Sequence, residues 1–385
     1  MNIRIFKKLG RLTAALSSPI DGDVLLGPNW FASVMGTGIV SISAATLPIP
    51  LPGLFGIATI AWILSCLLLG GMLLIIPAHW LLRPGKFTAL LEDPIAIQFF
   101  GAPPMALMTV GTATMLIGAH YIGDPAAVAL DSALWIIGTL LGLITAVLVP
   151  YRLFTQIDVR SDGAFGGWLM PVVPPMVSAA TGALLIPHVS TGDLRETLLF
   201  LCYSMFGMSL IVALIITTLI WSRLVHFGSS GSTRVPTLWI VLGPLGQSIT
   251  AVGSLATVAA YAVAEPLADG LKVFAVVYGV STWGFIWLWL PIAALLTWRA
   301  RRKQMKFALT WWSFTFPIGT CVTGTSQLAK QTGAVLFQWC AVGFFLVLLI
   351  AWFVVLFRTA TESVDGALLT PGINRSSPHA FKDLA

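Results

Sequence analysis

The chain reads as an all-α polytopic membrane protein of ten helices, and three observations predict it. Hydrophobic residues fill 57% of its 385 positions and charged ones only 9%, where a soluble domain carries about 25% charge. Ten stretches match the roughly 20 apolar residues needed to cross a hydrocarbon core, and short connections join them. The stretches also alternate in kind. Segments loaded with Pro, Gly, Ser and Thr, such as FGAPPMALMTVGTATML, are each followed by one built of Leu, Ile, Val, Phe and Trp. The second kind suits lipid, and the first suits protein contacts and water. A chain built this way is expected to enclose a pore.

In chain order the spans are expected near 28–47, 55–82, 95–119, 132–153, 167–187, 197–223, 236–263, 271–298, 308–329 and 333–357. Residues 28–358 form one transmembrane domain, flanked by tails at 1–27 and 359–385 that are mixed in character and expected to be poorly ordered. The basic start (Arg4, Lys7, Lys8, Arg11) lacks an apolar stretch or cleavage site before the first span, so no cleaved signal peptide is expected. The first span carries the small cluster Gly36, Thr37, Gly38. Spans three, five, seven and nine align without gaps on Pro104, Pro175, Pro244 and Pro317, each in the first half of its span. Seven residues later come Gly111, Gly182, Ala251 and Gly324. An interior proline removes a backbone hydrogen bond and kinks a helix, so these four are expected as helix kinks. The even spans lack the layout, with Pro291 in the eighth as an exception.

The residue before each aligned proline is Pro103, Pro174, Gly243 or Phe316. Steps of four and seven from there stay on one helix face. They reach Ser178 and Thr181 in the fifth span, Gln247 and Thr250 in the seventh, and Thr320 and Thr323 in the ninth. In the third they reach Leu107 and Val110, and a hydroxyl returns only at Thr114. If these faces share an axis, Gly36, Thr37, Gly38, Gly111, Gly182 and Gly324 line it with the polar residues, and Phe316 plugs it. Small residues at helical spacing also serve as plain packing surfaces between helices, and periodicity alone leaves both readings open.

Charge sets orientation. With the N-terminus inside, eighteen Lys and Arg fall on the inner side and three (Arg195, Lys272, Lys330) on the outer, which places both termini in the cytoplasm. Trp80, Tyr151, Trp221, Trp298, Trp311 and Trp312 fall near the inner boundary as interface anchors. The net charge of +6 therefore signals topology and not a nucleic-acid partner. None of the charged side chains is expected at mid-span, which removes a buried carboxylate for proton or sodium handling. No phosphate-binding loop motif occurs. The single cysteines and histidines form no metal-ligand spacing. Neither an enzyme, nor a metal, nor a cofactor is indicated.

GPNWFASVMGTGIV at the first span and WWSFTFPIGT at the start of the ninth resemble the tellurite-resistance/dicarboxylate transporter family. That family includes bacterial tellurite-resistance channel homologues, slow anion channels of plant guard cells, yeast malate permeases and sulfite efflux pumps. The resemblance covers all ten spans and excludes the tails. It implies five helical hairpins in a quasi-five-fold ring, odd spans around a central pore and even spans outside, in a homotrimer with one pore per subunit. It also implies a pore-blocking phenylalanine in the ninth span, carried over to Phe316, with Phe314 as the competing position. The function implied is passage of a small anion across a cell membrane (plasma or inner). A C4-dicarboxylate such as malate or succinate comes first, and sulfite, tellurite-related oxyanions, nitrate or halide are the alternatives. A negative-inside potential favours anion exit by about 2.3 kcal/mol per charge per 100 mV. The basic run Arg299, Arg301, Arg302, Lys303 and Lys306 is expected to concentrate anions at the inner mouth. Proton coupling through Glu92 and Asp93 stays open.

Overall fold

The computed structural model describes residues 26–229, 231, 234–365 and 368. The expected N-terminal tail up to residue 25, with its four basic side chains, and most of the C-terminal tail lie outside these residues. Regular structure among the described residues is helical throughout: α1 (Phe31–Thr46), α2 (Leu54–Leu82), α3 (Pro84–Glu92), α4 (Ala102–Ala113), α5 (Asp124–Thr155), α6 (Pro174–Leu185), α7 (Asp193–Phe227), α8 (Leu242–Val258), α9 (Leu267–Arg302), α10 (Phe316–Thr332) and α11 (Val335–Val364). α4 runs on through a π-turn at Thr114–Gly118. α11 takes in residues 359–364, expected as tail.

Seven segments are long and apolar enough to cross a membrane: Leu54–Leu82, Ala96–Ile122, Asp124–Thr155, Asp193–Phe227, Val235–Tyr261, Leu267–Arg302 and Val335–Val364. The chain is thus a multi-pass membrane protein. The first, fifth and ninth of the ten expected spans fall short, because α1, α6 and α10 have only 16, 12 and 17 residues. At 1.5 Å per residue α6 covers about 18 Å, well under a bilayer core. Such a helix is tolerable only where protein covers it, and α6 is almost wholly buried. In the long even helices the balance reverses: 22% of the most apolar stretch of Leu54–Leu82 is buried, against 83% for Val235–Tyr261.

The packing repeats. α1 touches α4, α4 touches α6, α6 touches α8, α8 touches α10, and α10 returns to α1. Each of these packs on the long helix that follows it, and each long helix also touches the next short one, with α11 closing onto α1. A short 3-10 helix stands ahead of every member of the inner set: Pro28–Trp30, Ala96–Gly101, Gly166–Leu169, Val235–Val241 and Leu309–Phe314. Tight reversals are made by Gly123 (φ 83°) between Ile122 and Asp124 and by Gly333 (φ 69°) after α10, a backbone region that costs glycine nothing.

Indole N–H groups tie outer helices to inner ones. Trp62 donates to Thr114 Oγ1 at 2.9 Å, Trp135 to the Ser178 carbonyl at 2.9 Å, Trp283 to Thr325 Oγ1 at 3.2 Å, and Trp352 to Thr37 Oγ1 at 3.2 Å. Within a membrane these bonds satisfy both partners where water cannot.

Three sequence expectations change. Pro104, Pro175, Pro244 and Pro317 stand in the first turns of α4, α6, α8 and α10, and the prolines inside α-helices are Pro77, Pro150 and Pro291. Pro175 and Pro317, second in α6 and α10, take positions where the N–H has no intrahelical partner, whereas Pro104 and Pro244 stand where a 3-10 helix passes directly into α4 and α8. Trp312 is 1% exposed and donates to Thr359 Oγ1 at 3.1 Å, so it is a packing residue and not an interface anchor. Asp131, placed by the sequence just ahead of the fourth span, lies inside α5 and is wholly buried, because that helix starts eight residues earlier than 132. Asp93 accepts the N–H groups of Ile95 and Ala96 at 2.8 and 2.6 Å, in the turn just ahead of the 3-10 helix Ala96–Gly101.

Candidate functional site

Two cavities lie between the inner helices, one nearer their N-terminal ends and one nearer their C-terminal ends. The first, of about 40 Å³, is lined by Met35, Phe99, Met105, Met170, Val173, Ile240, Trp312 and neighbours, with Ser313 as its only hydroxyl. The second, of about 80 Å³, is lined by Ile39, Ile42, Leu116, Val177, Ala180 and Leu184 together with a set of polar side chains. Those are Thr46 from α1, Thr109 and Thr112 from α4, Thr181 from α6, Gln247, Thr250 and Ser254 from α8, and Thr323 and Gln327 from α10. No charged side chain lines either one. The two share one lining residue, Phe316, which is 7% exposed at the first position of α10.

Several hydroxyls of the polar cavity are already engaged. Thr250 and Thr323 pair at 2.7 Å, Thr181 donates to the Val177 carbonyl at 2.9 Å, and Thr109 to the Met105 carbonyl at 2.7 Å. Gln327 Nε2 donates to Ser254 Oγ at 3.0 Å, which leaves its carbonyl oxygen without a partner. Thr112 Oγ1 is buried without a hydrogen bond, and Gln247, 4% exposed, adds an amide to the same wall. A buried hydroxyl with no protein partner costs about 1–3 kcal/mol, a cost that a polar occupant of the cavity would remove. A hydroxyl and an amide can both donate to an anion.

The structure brings together Thr181, Gln247, Thr250 and Thr323 with Phe316, as the face analysis expects. The other candidates point elsewhere. Gly36 faces Trp312 and Thr315, Gly38 faces Thr109 and Ser65, Gly111 faces Asp131, Gly182 faces Cys202 and Trp135, and Gly324 faces the Gly246 carbonyl. Thr37 and Thr114 receive indole N–H groups. Ser178 donates to Met108 Sδ and the Pro174 carbonyl, and Thr320 donates to the Pro317 carbonyl. Phe314 packs edge-on against Trp239 and Trp311, and it lines neither cavity.

Sequence reasoning missed Thr46, Thr109, Thr112, Ser254 and Gln327. The third span was aligned on the second proline of its Pro-Pro pair. Counted from Pro103, the sixth residue is Thr109, in register with Thr181, Thr250 and Thr323 counted from Pro175, Pro244 and Pro317. The apparent exception in that helix was a shift of one residue.

A family model described as the SLAC1 voltage-dependent anion channel matches residues 26–360. The chain belongs to this family. Among curated relatives of this SLAC1 member, a sulfite efflux pump of Arthroderma benhamiae is 29% identical over 344 residues, covering 87% of this chain and 90% of the pump. An uncharacterized transporter of Methanocaldococcus jannaschii is 26% identical over 348 residues, covering 90% and 97%. A malic acid transport protein of Schizosaccharomyces pombe is 21% identical over 362 residues, covering 89% and 80%. The SLAC1 match takes in every helix that lines the two cavities, and it agrees with the resemblance read from the motifs of the first and ninth spans. The family is one of channels and transporters, not enzymes.

Proposed function

We propose that this chain passes small anions through a central pore, with its ten helices arranged as five hairpins in a quasi-five-fold ring and Phe316 as the gate. The observation that carries the reading is that Phe316 alone belongs to the walls of both cavities. A ring swung aside would join them into one path. The pore wall offers uncharged donors, which hold an anion loosely enough to let it leave. All five inner helices run in the same direction, since each is followed by one return crossing. Their N-terminal ends, which carry partial positive charge, therefore gather on the apolar side of Phe316. That side is the cytoplasmic one if the eighteen-to-three bias in basic residues sets the topology.

The favoured cargo is a compact oxyanion such as sulfite, exported from the cell. Sulfite pumps are among the relatives with the higher identities, and a cavity of about 80 Å³ has room for only a few waters. A C4-dicarboxylate is the second reading, supported by the malic acid transport relative, and it requires the cavity to widen. The test is sulfite and malate flux from proteoliposomes holding the wild type or Phe316→Ala. The variant is expected to raise flux on the order of tenfold, equivalent to about 1.4 kcal/mol off the barrier. Unchanged flux of every anion tried removes Phe316 from the gate.

A further inference from the structure

Asp131 is the one carboxyl buried within a long apolar helix among the described residues. It lies seven positions beyond the first residue of α5, about 10 Å along the axis. The residue is 0% exposed, and neither carboxyl oxygen has a hydrogen-bond partner. The site is shaped around it: a Cβ on Gly111 of α4 would overlap Asp131 Oδ1, so only glycine leaves the carboxyl its place. On α4, Thr109 and Thr112 flank Gly111 and line the polar cavity. One helix thickness thus separates the carboxyl from the space proposed for the anion.

No charge from the surroundings compensates a carboxylate here. Of the elements packed against α5, Ala96–Gly101, Ala102–Ala113, Thr114–Gly118 and Pro174–Leu185 carry no titratable side chain. Ala119–Ile122 carries His120 and Tyr121, both exposed at the helix end, and α5 itself begins with Asp124 and carries Arg152 near its far end. The nearby thiols are Cys66 and Cys202, on α2 and α7. An isolated charge at such depth is costly, and a bound proton removes the cost.

We infer that Asp131 is a proton-binding site, and that its proton and the anion in the polar cavity are bound cooperatively. The inference rests on the anion reading above. Two negative charges about 10 Å apart in a medium of effective dielectric about 20 repel enough to change an affinity roughly tenfold. By linkage, each ligand strengthens the other to the same extent. Anion affinity is therefore highest when Asp131 is protonated, and it falls as rising pH removes the proton.

The experiment uses the full chain in proteoliposomes, with sulfite as the probe between pH 5 and 8. The ratio of wild-type to Asp131→Asn apparent affinity cancels the titration of sulfite itself. That ratio is expected to fall roughly tenfold across the range as the wild type loses its proton; a flat ratio overturns the inference. Infrared spectroscopy of the wild type supplies a reading without flux and without the variant. A protonated-carboxyl band that persists to higher pH when sulfite is added supports the inference, and a missing band, or one that sulfite does not move, overturns it. If neither protein passes or binds any anion while the carboxyl band is present, the anion reading fails and the proton site stands.

Discussion

Gln247 and Thr112 carry the proposed site at the level of single side chains, because their donors face the cavity while neighbouring hydroxyls are spent on their own helices. Replacing Gln247 by Leu keeps the bulk and removes the donor. A hydrogen bond to a charged partner is worth about 1.5–3 kcal/mol, so the apparent anion affinity is expected to drop more than tenfold. Concentration-dependent flux checks this, and an unchanged affinity excludes the amide from binding. Phe316, Thr181, Gln247, Thr250 and Thr323 were legible in the sequence because proline fixes the start of each inner helix and one turn repeats the face. Thr37, Thr114 and Ser178 carry the same chemistry, yet they are taken up by outer-helix tryptophans or by Met108. Those partners come from distant parts of the chain, and no local spacing announces them.

Helix pairs depend on a few close approaches. α8 and α10 meet where a Cβ on Gly246 would overlap the Thr320 backbone, whereas one on Gly243 would find Pro317 no nearer than 3.9 Å. Overfilling a packed contact costs about 1–3 kcal/mol. Gly246→Ala should lower the thermal midpoint in detergent, while Gly243→Ala should leave it nearly unmoved; equal effects would show that the contact does not matter. Trp62→Phe removes the donor to Thr114 and should cost about 1 kcal/mol in the same assay. The outer helices were legible from hydropathy because lipid demands it of them. The inner ones were legible as helices but not in extent. Their ends are set by 3-10 turns and by neighbours that shield them, and neither leaves an apolar signature. The aligned prolines stand within the first three residues of four of those α-helices.

Across the whole molecule, the placement of charge bears on the proposed orientation and on the proposed attraction of anions. Arg299, Arg301 and Arg302 close α9, and Lys303 and Lys306 follow. Neutralising all five to Gln should reduce anion flux several-fold at low ionic strength. The difference should vanish near 1 M salt, where the Debye length is about 3 Å; a salt-independent difference would mean that the run acts through structure alone. A homotrimer with one pore per subunit is proposed from the family resemblance. Native mass spectrometry in mild detergent checks it, and a monomer that conducts would remove the trimer from the mechanism. The charge count carries an expected orientation, whereas the burial of Asp131 escaped the sequence reading. Its role depends on where α5 begins, and a helix start ahead of an apolar run is hard to fix from hydropathy.

The unequal lining of the two chambers has an electrical consequence. On the proposed topology, an anion leaving the cell sheds its hydration among methionine and isoleucine side chains, with Ser313 as the one hydroxyl in reach, before it meets the hydroxyls and amides beyond Phe316. One travelling inward meets those donors first. The steepest part of the energy profile is therefore displaced toward one membrane face, and a conducting variant such as Phe316→Ala should rectify, passing unequal currents at equal and opposite voltages in symmetric solutions.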